Sequence, residues 1–368
     1  MLHFLIPELI PNYLSTPLRL IDYVSFRAGA AGLTALLLSF LFGPLTVRML
    51  KRLNTVAAAR YEGVLEESMI DHSKDKTPSM GGILIVGSIV ASMLLWGNLA
   101  NPLLIIFLAT LLCFSLLGFL DDYAKVARKN RDGISARTKL LFQVLIALGA
   151  LYFFREQGEY GDKLLSFYLP FLKNPVWVMP SIIAFAFGAL VVVGSSNAVN
   201  LTDGKDGLAV GCTIFCTLAY TAFAYFTGHK IFAGYLNINY IPGAGEIAIF
   251  GGAIVGACIG FLWYNCHPAS MFMGDTGSLA LGGSIGLIAV LVKQEILLIL
   301  VGWVFVMEAG SAFLQILSYK LFKKRIFLCT PIHHHFEKLG WPETQIVVRF
   351  WIIAGICALL GLATLKLR

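Results

Sequence analysis

The chain carries little charge. Of its 368 residues, 13% are Asp, Glu, Lys or Arg and 58% are hydrophobic. A soluble globular domain has about 25% charged residues, so this class of protein is excluded. The 7 cysteines form no close-spaced pairs, which gives no support to a disulfide framework or a thiolate metal site. The first residues lack the basic region and cleavage site of a signal peptide, so we expect them to remain in the mature protein.

Ten apolar stretches dominate the sequence. They cover residues 28–50, 81–96, 102–120, 140–154, 176–193, 208–226, 247–263, 279–292, 296–319 and 346–365. About 20 apolar residues cross a bilayer as a helix, and several of these stretches are short for a span. The pattern predicts an all-α, polytopic integral membrane protein with about ten transmembrane helices, which we expect to form a single domain over residues 1–368. Gly252, Gly256 and Gly260 recur at four-residue spacing, which predicts the close approach of another helix.

The placement of Lys and Arg predicts the orientation of these helices. Loops that follow odd-numbered stretches carry twice as many Lys and Arg residues as the other loops and tails. By the positive-inside rule, the basic loops face the cytoplasm. The polar motifs described below all lie in or beside these same connections, which predicts a cytoplasmic active-site cleft.

An adjacent carboxylate pair ends the third apolar stretch, at residues 118–123 (GFLDDY). Each carboxylate would cost about 3 kcal/mol at the centre of a bilayer, so Asp121 and Asp122 need water, a cation or hydrogen-bond donors. Helix capping is the structural alternative, but a carboxylate at a helix C-terminus opposes the macrodipole. If the helix continues, Lys125 lies one turn from Asp121 and either pairs with it or faces a shared anion.

The connection at residues 194–208 is the densest polar motif. Asn200, Asp203 and Asp206 offer oxygens suited to a hard cation or to ribose and base hydroxyls. The alternative is turn chemistry, because Asn and Asp-Gly favour turns. A second short motif places Asp275 between two glycines as the only charged residue of its connection.

Two further features stand near the end of the chain. Glu308 is the only charged residue within 296–319, where it either has a function or stabilises a broken helix. His333, His334 and His335 are consecutive, so their side chains diverge on a helix or a strand and cannot all face one metal ion. The triplet could contact an anion or a sugar from a turn, or it could be a chance run of histidines.

Acidic motifs and basic loops on one membrane face suggest a divalent cation that bridges carboxylates to phosphates. Mg²⁺ fits because it prefers oxygen ligands and phosphate partners, while thiolate motifs are absent from the sequence. A soluble phosphorylated donor would reach the site from the cytoplasm and a lipid acceptor from the bilayer. The rival class is a cation-coupled transporter, but such sites cluster at the membrane midplane with repeat symmetry, and we find no internal repeat.

Five motifs together resemble those of the polyprenyl-phosphate N-acetylhexosamine-1-phosphate transferases. They lie at residues 77–82 (TPSMGG), 118–123, 197–207, 272–279 (FMGDTGSL) and 331–335 (PIHHH). The histidine triplet resembles that of the muramoyl-pentapeptide branch of this family. Membership of the N-acetylglucosamine branch is the alternative. The resemblance implies an Mg²⁺-dependent enzyme of peptidoglycan synthesis that transfers phospho-MurNAc-pentapeptide from UDP-MurNAc-pentapeptide to undecaprenyl phosphate, giving lipid I and UMP.

The resemblance also implies roles for individual residues. Asp275 is then the Mg²⁺ ligand, Asp121 activates the lipid phosphate, and Asp122 supports catalysis or the metal. The candidate substrate-binding residues are Lys74, Lys125, Lys139, Asn200, Asp203, Asp206, Asn265, Phe272, His333, His334 and His335. Lys205 stands where the family usually has leucine, so its role is open.

The implied setting is the bacterial inner membrane, with the active site on its cytoplasmic face. The expected partners are the two substrates and the lipid bilayer, with no nucleic acid. A homodimer is left open.

Overall fold

The computed structural model describes residues 2, 10, 17–53, 55, 77–128 and 133–367 of the chain. Ten helices of 15 residues or more run through this part. They are α1 (Val24–Arg52), α2 (Gly82–Trp96), α3 (Pro102–Arg128), α4 (Ala136–Arg155), α5 (Ser181–Thr202), α6 (Leu208–Thr227), α7 (Gly245–Asn265), α8 (Gly274–Leu291), α9 (Trp303–Phe322) and α10 (Glu343–Ala363). Each overlaps one of the ten apolar stretches, so the predicted all-α membrane architecture is confirmed.

Eight of these helices are long and apolar enough to cross a membrane. The other two are α2, which has 15 residues, and α9. The ninth apolar stretch is broken, because the short helix Leu297–Val301 ends at Gly302 and α9 begins directly after it. A Cβ atom on Gly302 would lie 2.9 Å from the Leu298 carbonyl oxygen, so the break leaves little room for a side chain.

Short elements fill the connections. They are the helices Glu159–Asp162, Lys230–Leu236 and Ile332–Lys338, and the 3₁₀ turns Pro17–Asp22, Lys163–Leu165 and Thr364–Lys366. One small antiparallel ribbon pairs β1 (Ser166–Phe167) with β2 (Trp177–Val178), and Ser166 lies opposite Val178. The two long loops at residues 155–174 and 228–246 therefore carry short structure.

Helix α8 forms the centre of the bundle, and all 18 of its residues are buried. Glycines let the neighbouring helices reach its first turn. A Cβ atom on Gly118 of α3 would lie 2.1 Å from the Asp275 carbonyl oxygen, and one on Gly82 of α2 would lie 2.2 Å from the Gly277 nitrogen. Any larger residue would push these helices away from α8.

The contact between α1 and α7 depends on the predicted glycine repeat. A Cβ atom on Gly256 would lie 1.8 Å from the Gly32 carbonyl oxygen, and one on Gly252 would lie 2.4 Å from that of Ala28. The backbones of the two helices are therefore in direct contact, which confirms the close approach that the spacing predicts.

We expect Gly256→Ala to destabilise the protein by about 1–3 kcal/mol, because the added methyl group overpacks the α1–α7 contact. Gly149→Ala on α4 is the matched control, since no atom lies within 4 Å of the Cβ position there. Thermal unfolding in detergent measures the difference. Equal melting temperatures for the two variants would contradict the packing described.

Candidate active site

Three carboxylates from two helices form what we call the carboxylate cluster: Asp121 and Asp122 of α3, and Asp275 of α8. Each offers an oxygen within 4.8 Å of the others, and the residues are only 3%, 5% and 7% exposed. Helix α3 continues to Arg128, so the aspartate pair does not stand at a helix end. The pair instead faces the N-terminus of α8.

Asp122 caps helix α8. Its Oδ1 accepts a hydrogen bond from the Asp275 backbone N–H at 3.2 Å. Its Oδ2 accepts from the Thr276 backbone N–H at 3.0 Å and from the Thr276 hydroxyl at 2.7 Å. First-turn N–H groups have no acceptor within their own helix, and a carboxylate at this position also complements the helix dipole. Asp122 therefore fixes the turn that carries Asp275.

Two lysines neutralise Asp121 and Asp275. The Lys125 ammonium lies 2.6 Å from Asp121 Oδ2 and 3.2 Å from Asp275 Oδ2. The Lys139 ammonium lies 3.5 Å from Asp121 Oδ2 and also pairs with Asp275 Oδ2. The predicted pairing of Lys125 with Asp121 is confirmed. The Lys125 side chain is 37% exposed and that of Lys139 is 16% exposed, so Lys125 is the more open of the two to solvent.

The remaining carboxylate oxygens are also held. Asp121 Oδ1 accepts from the Ile134 backbone N–H at 2.8 Å. The Asn200 side-chain amide donates to Asp275 Oδ1 and to the Ser278 hydroxyl oxygen, both at 2.8 Å. Asp275 is therefore fixed by α5 on one side and by the lysines on the other.

The composition of this cluster suits a hard cation. Three carboxylates and two lysines leave one excess negative charge, and the carboxylate cluster contains neither cysteine nor histidine. Oxygen ligands without thiolate or imidazole are the usual environment of Mg²⁺. The residues present therefore fit that ion.

The linking loop, residues 203–207, leads from α5 to a second polar group. Asp206 Oδ2 accepts from the Ala269 backbone N–H at 3.2 Å and lies 3.1 Å from His267 Nδ1. The Asp206 backbone N–H donates to Glu343 Oε1 at 3.0 Å. Asn200 and Asp206 thus bond different partners, Asp275 and His267.

Asn265 and Phe272 hold neighbouring loops. Asn265 Oδ1 accepts from the Gly207 backbone N–H at 3.1 Å, and its amide donates to the Met271 carbonyl oxygen at 3.0 Å. Phe272 bonds through its backbone to Pro78 and Gly81. These residues bring the segments around the carboxylate cluster together.

The three histidines have three different partners. His333 Nδ1 lies 2.9 Å from Glu308 Oε2, and His334 Nδ1 lies 3.0 Å from Glu337 Oε2. His335 Nδ1 accepts from the Leu328 backbone N–H at 3.2 Å. The Nδ1 atoms thus have separate partners, although the His333 and His334 ring centroids lie only 4.2 Å apart. Glu308 is fully buried against His333, on the helix that follows the break at Gly302.

The structure brings six of the sequence-predicted residues into contact. They are Asp121, Asp122, Lys125, Lys139, Asn200 and Asp275. Asp203 is buried directly after the end of α5, one turn beyond Asn200, while the Asp206 group and the histidines lie on adjoining segments. Lys74 lies outside the described residues.

Sequence reasoning missed several partners. Thr276 bonds Asp122, Ser278 bonds Asn200, and Glu337 pairs with His334 and Lys205. Thr276 and Ser278 belong to the motif around Asp275, which is the only sequence signal for them. Nothing in the pattern singles out Glu337.

Two segments of the chain match the patterns of known protein families. Residues 104–293 match the sequence profile of glycosyl transferase family 4. Residues 74–86 match the phospho-N-acetylmuramoyl-pentapeptide-transferase signature 1.

Two curated relatives are similar over most or all of their length. The chain is 46% identical over 388 residues to the phospho-N-acetylmuramoyl-pentapeptide-transferase of Koribacter versatilis (strain Ellin345), and the match covers 100% of both chains. It is 48% identical over 350 residues to the enzyme of that name from Desulfotalea psychrophila (strain LSv54 / DSM 12343), and the match covers 94% of each. The chain belongs to glycosyl transferase family 4 and, within it, to the phospho-N-acetylmuramoyl-pentapeptide-transferases.

Proposed function

We propose that this protein transfers phospho-MurNAc-pentapeptide from UDP-MurNAc-pentapeptide to undecaprenyl phosphate, with lipid I and UMP as products. The full-length relatives carry the name of this activity. The observation that carries the proposal is the carboxylate cluster with its two lysines, buried at one end of a bundle of membrane-length helices. Such a site can bind phosphates of a soluble donor and of a lipid acceptor together.

Mg²⁺ is the cofactor that this site suits. Asp275 would be its main ligand, and the Asp121 carboxylate is close enough to assist. When bound, the ion would neutralise negative charge on the pyrophosphate of the donor and on the departing UMP.

The residues of the chain then have separate tasks. Lys125 and Lys139 can bind the phosphates of donor and acceptor, because their ammonium groups lie between Asp121 and Asp275. Asp121 orients the lipid phosphate and accepts a proton if the phosphate carries one. Asp122 is a positioning residue, since its carboxylate is fully engaged with the first turn of α8.

The bond changes follow from the substrates. An oxygen of the lipid phosphate attacks the sugar-linked phosphorus, a new P–O bond forms, and the bond from that phosphorus to the bridging oxygen breaks. UMP leaves with the bridging oxygen and the electron pair. The runner-up route passes through a phospho-aspartate, in which a carboxylate attacks first and the lipid phosphate then displaces it.

A membrane-facing cavity supports entry of the lipid acceptor. It has a volume of about 470 Å³ and an almost wholly apolar lining between α5 and α9, including Leu190, Phe305 and Phe313. The cavity reaches Ala198 and Val199, which directly precede the Asn200 that bonds Asp275. An isoprenoid chain in this cavity would bring its phosphate towards the carboxylate cluster.

The proposed location is the bacterial inner membrane, with the site on the cytoplasmic face. The support is the excess of Lys and Arg in the loops at the same end of the bundle as the site. We also propose that the whole chain is one transferase domain, because the match to a relative extends over its full length.

We expect the purified protein to make lipid I and UMP from the two proposed substrates only when Mg²⁺ is present. A chelator should abolish product formation, and added Mg²⁺ should restore it. Chromatography of the lipid and nucleotide products measures both. Efficient use of UDP-N-acetylglucosamine in place of the muramoyl donor would overturn the branch assignment.

Asp275→Asn should lower kcat by about 100-fold or more, because it removes charge where the transition state is stabilised. Raising the Mg²⁺ concentration should not restore the rate. Asp162→Asn is the matched control, since this carboxylate is exposed and pairs only with Arg155 among the described residues. Unchanged turnover in Asp275→Asn would remove Asp275 from the metal site.

Donor alone distinguishes the two routes. We expect no UMP when the enzyme is mixed with UDP-MurNAc-pentapeptide and Mg²⁺ without acceptor, because direct attack needs the lipid phosphate. A rapid-quench measurement at high enzyme concentration would detect release. A burst of one UMP per active site would establish the phospho-aspartate route instead.

A further inference from the structure

Lys205 is a largely buried cation outside the carboxylate cluster. Its side chain is 9% exposed, and its ammonium lies 2.5 Å from Glu337 Oε1 and 3.9 Å from Glu343 Oε2. Burying an ammonium is costly unless it is paired, so these two carboxylates are what hold Lys205 in place.

Glu337 is shared between Lys205 and a histidine. Its Oε1 faces Lys205, and its Oε2 lies 3.0 Å from His334 Nδ1. Burial raises the pKa of Glu337, but the hydrogen bonds with His334 and Lys205 outweigh this effect and lower the pKa to about 2. The carboxylate is therefore ionised at neutral pH and joins the two side chains.

Glu343 connects the same lysine to the linking loop. Its Oε1 accepts from the Asp206 backbone N–H at 3.0 Å, while its Oε2 is the oxygen nearest to Lys205. Gly204 lies against the histidines, because a Cβ atom there would be 2.5 Å from His333 Nε2. Three successive residues of the linking loop thus contact the short helix Ile332–Lys338 or the start of α10.

The other end of this connection reaches the carboxylate cluster. Asn200, which fixes Asp275, lies only three residues before the linking loop begins. A shift of the loop would therefore change the position of the histidines relative to Asp275. The ion pair of Lys205 with Glu337 joins the linking loop to the helix Ile332–Lys338.

We propose that Lys205 is a positioning residue for the nucleotide-sugar donor. By pairing with Glu337 it docks the helix Ile332–Lys338 on the linking loop and sets the orientation of the His334 ring. The inference rests on the proposed function, in which the histidine triplet binds the donor. Lys205 acts through Glu337 and does not itself touch the donor.

Two variants of Lys205 test this role through steady-state kinetics with each substrate varied in turn. Lys205→Met keeps the aliphatic stem and removes the charge, and Lys205→Arg restores a charged donor. We expect Lys205→Met to raise the KM for the donor about tenfold, as loss of a charge-assisted hydrogen bond should, with kcat changed less than about threefold. The KM for the lipid acceptor should not change, and Lys205→Arg should return the donor KM to within about threefold of wild type.

Glu337→Gln should resemble Lys205→Met. The double variant should be no worse than either single one, because both remove the same contact. Lys320→Met is the matched control, since Lys320 is exposed in the last turn of α9. A normal donor KM in Glu337→Gln combined with a raised one in Lys205→Met would overturn the proposal and indicate direct contact between Lys205 and the donor.

Hydrogen exchange separates this inference from the proposed function, because it needs no substrate. We expect the amides of residues 332–339 to exchange about tenfold faster in Lys205→Met than in wild type, with exchange in α8 unchanged. Unchanged exchange in this segment together with an unchanged donor KM would overturn the positioning role. If exchange is faster in Lys205→Met but the wild-type protein turns over no muramoyl donor, the proposed function is refuted and the docking contact still holds.

Discussion

The hydrogen bonds from the first turn of α8 to Asp122 are the contact on which the candidate site depends. They join α8, at the centre of the bundle, to α3, and they fix the backbone of Asp275. A buried N–H group without an acceptor costs about 1–3 kcal/mol, so the first turn of a fully buried helix needs such a partner. The two helices can approach this closely because Gly118 adds no side chain between them. Packing and electrostatics are therefore set by the same few residues.

Charge balance shapes the site in two separate networks. In the carboxylate cluster, Lys125 and Lys139 offset the repulsion among three acidic side chains. In the second network, Lys205 is placed between Glu337 and Glu343, away from that cluster. The cations of the first network lie among carboxylates that could also hold a metal ion, and the cation of the second network joins two segments of the chain.

Local rules predicted much of the fold and part of the site. Hydropathy located all ten long helices, the helical period placed Lys125 beside Asp121, and glycine spacing predicted the α1–α7 contact. Each of these depends only on residues close together in the chain.

What the sequence could not predict depends on residues far apart in the chain. Helix α5 continues to Thr202, well past the apolar stretch that ends at residue 193, because Asn200 finds a partner on α8 inside the bundle. The partners of Asp206 and Glu308 lie on other elements, at His267 and His333. No periodicity or spacing encodes such pairs.

The complete burial of α8 has a consequence for how the membrane can act on this protein. None of its 18 residues is exposed, so the helix that carries Asp275 is surrounded by other helices. Helix α3, which carries Asp121 and Asp122, differs because its Leu116 and Leu120 are 59% and 47% exposed on the outer surface of the bundle. A change in bilayer thickness would therefore act directly on the helix of the aspartate pair, and only through neighbouring helices on the helix of Asp275.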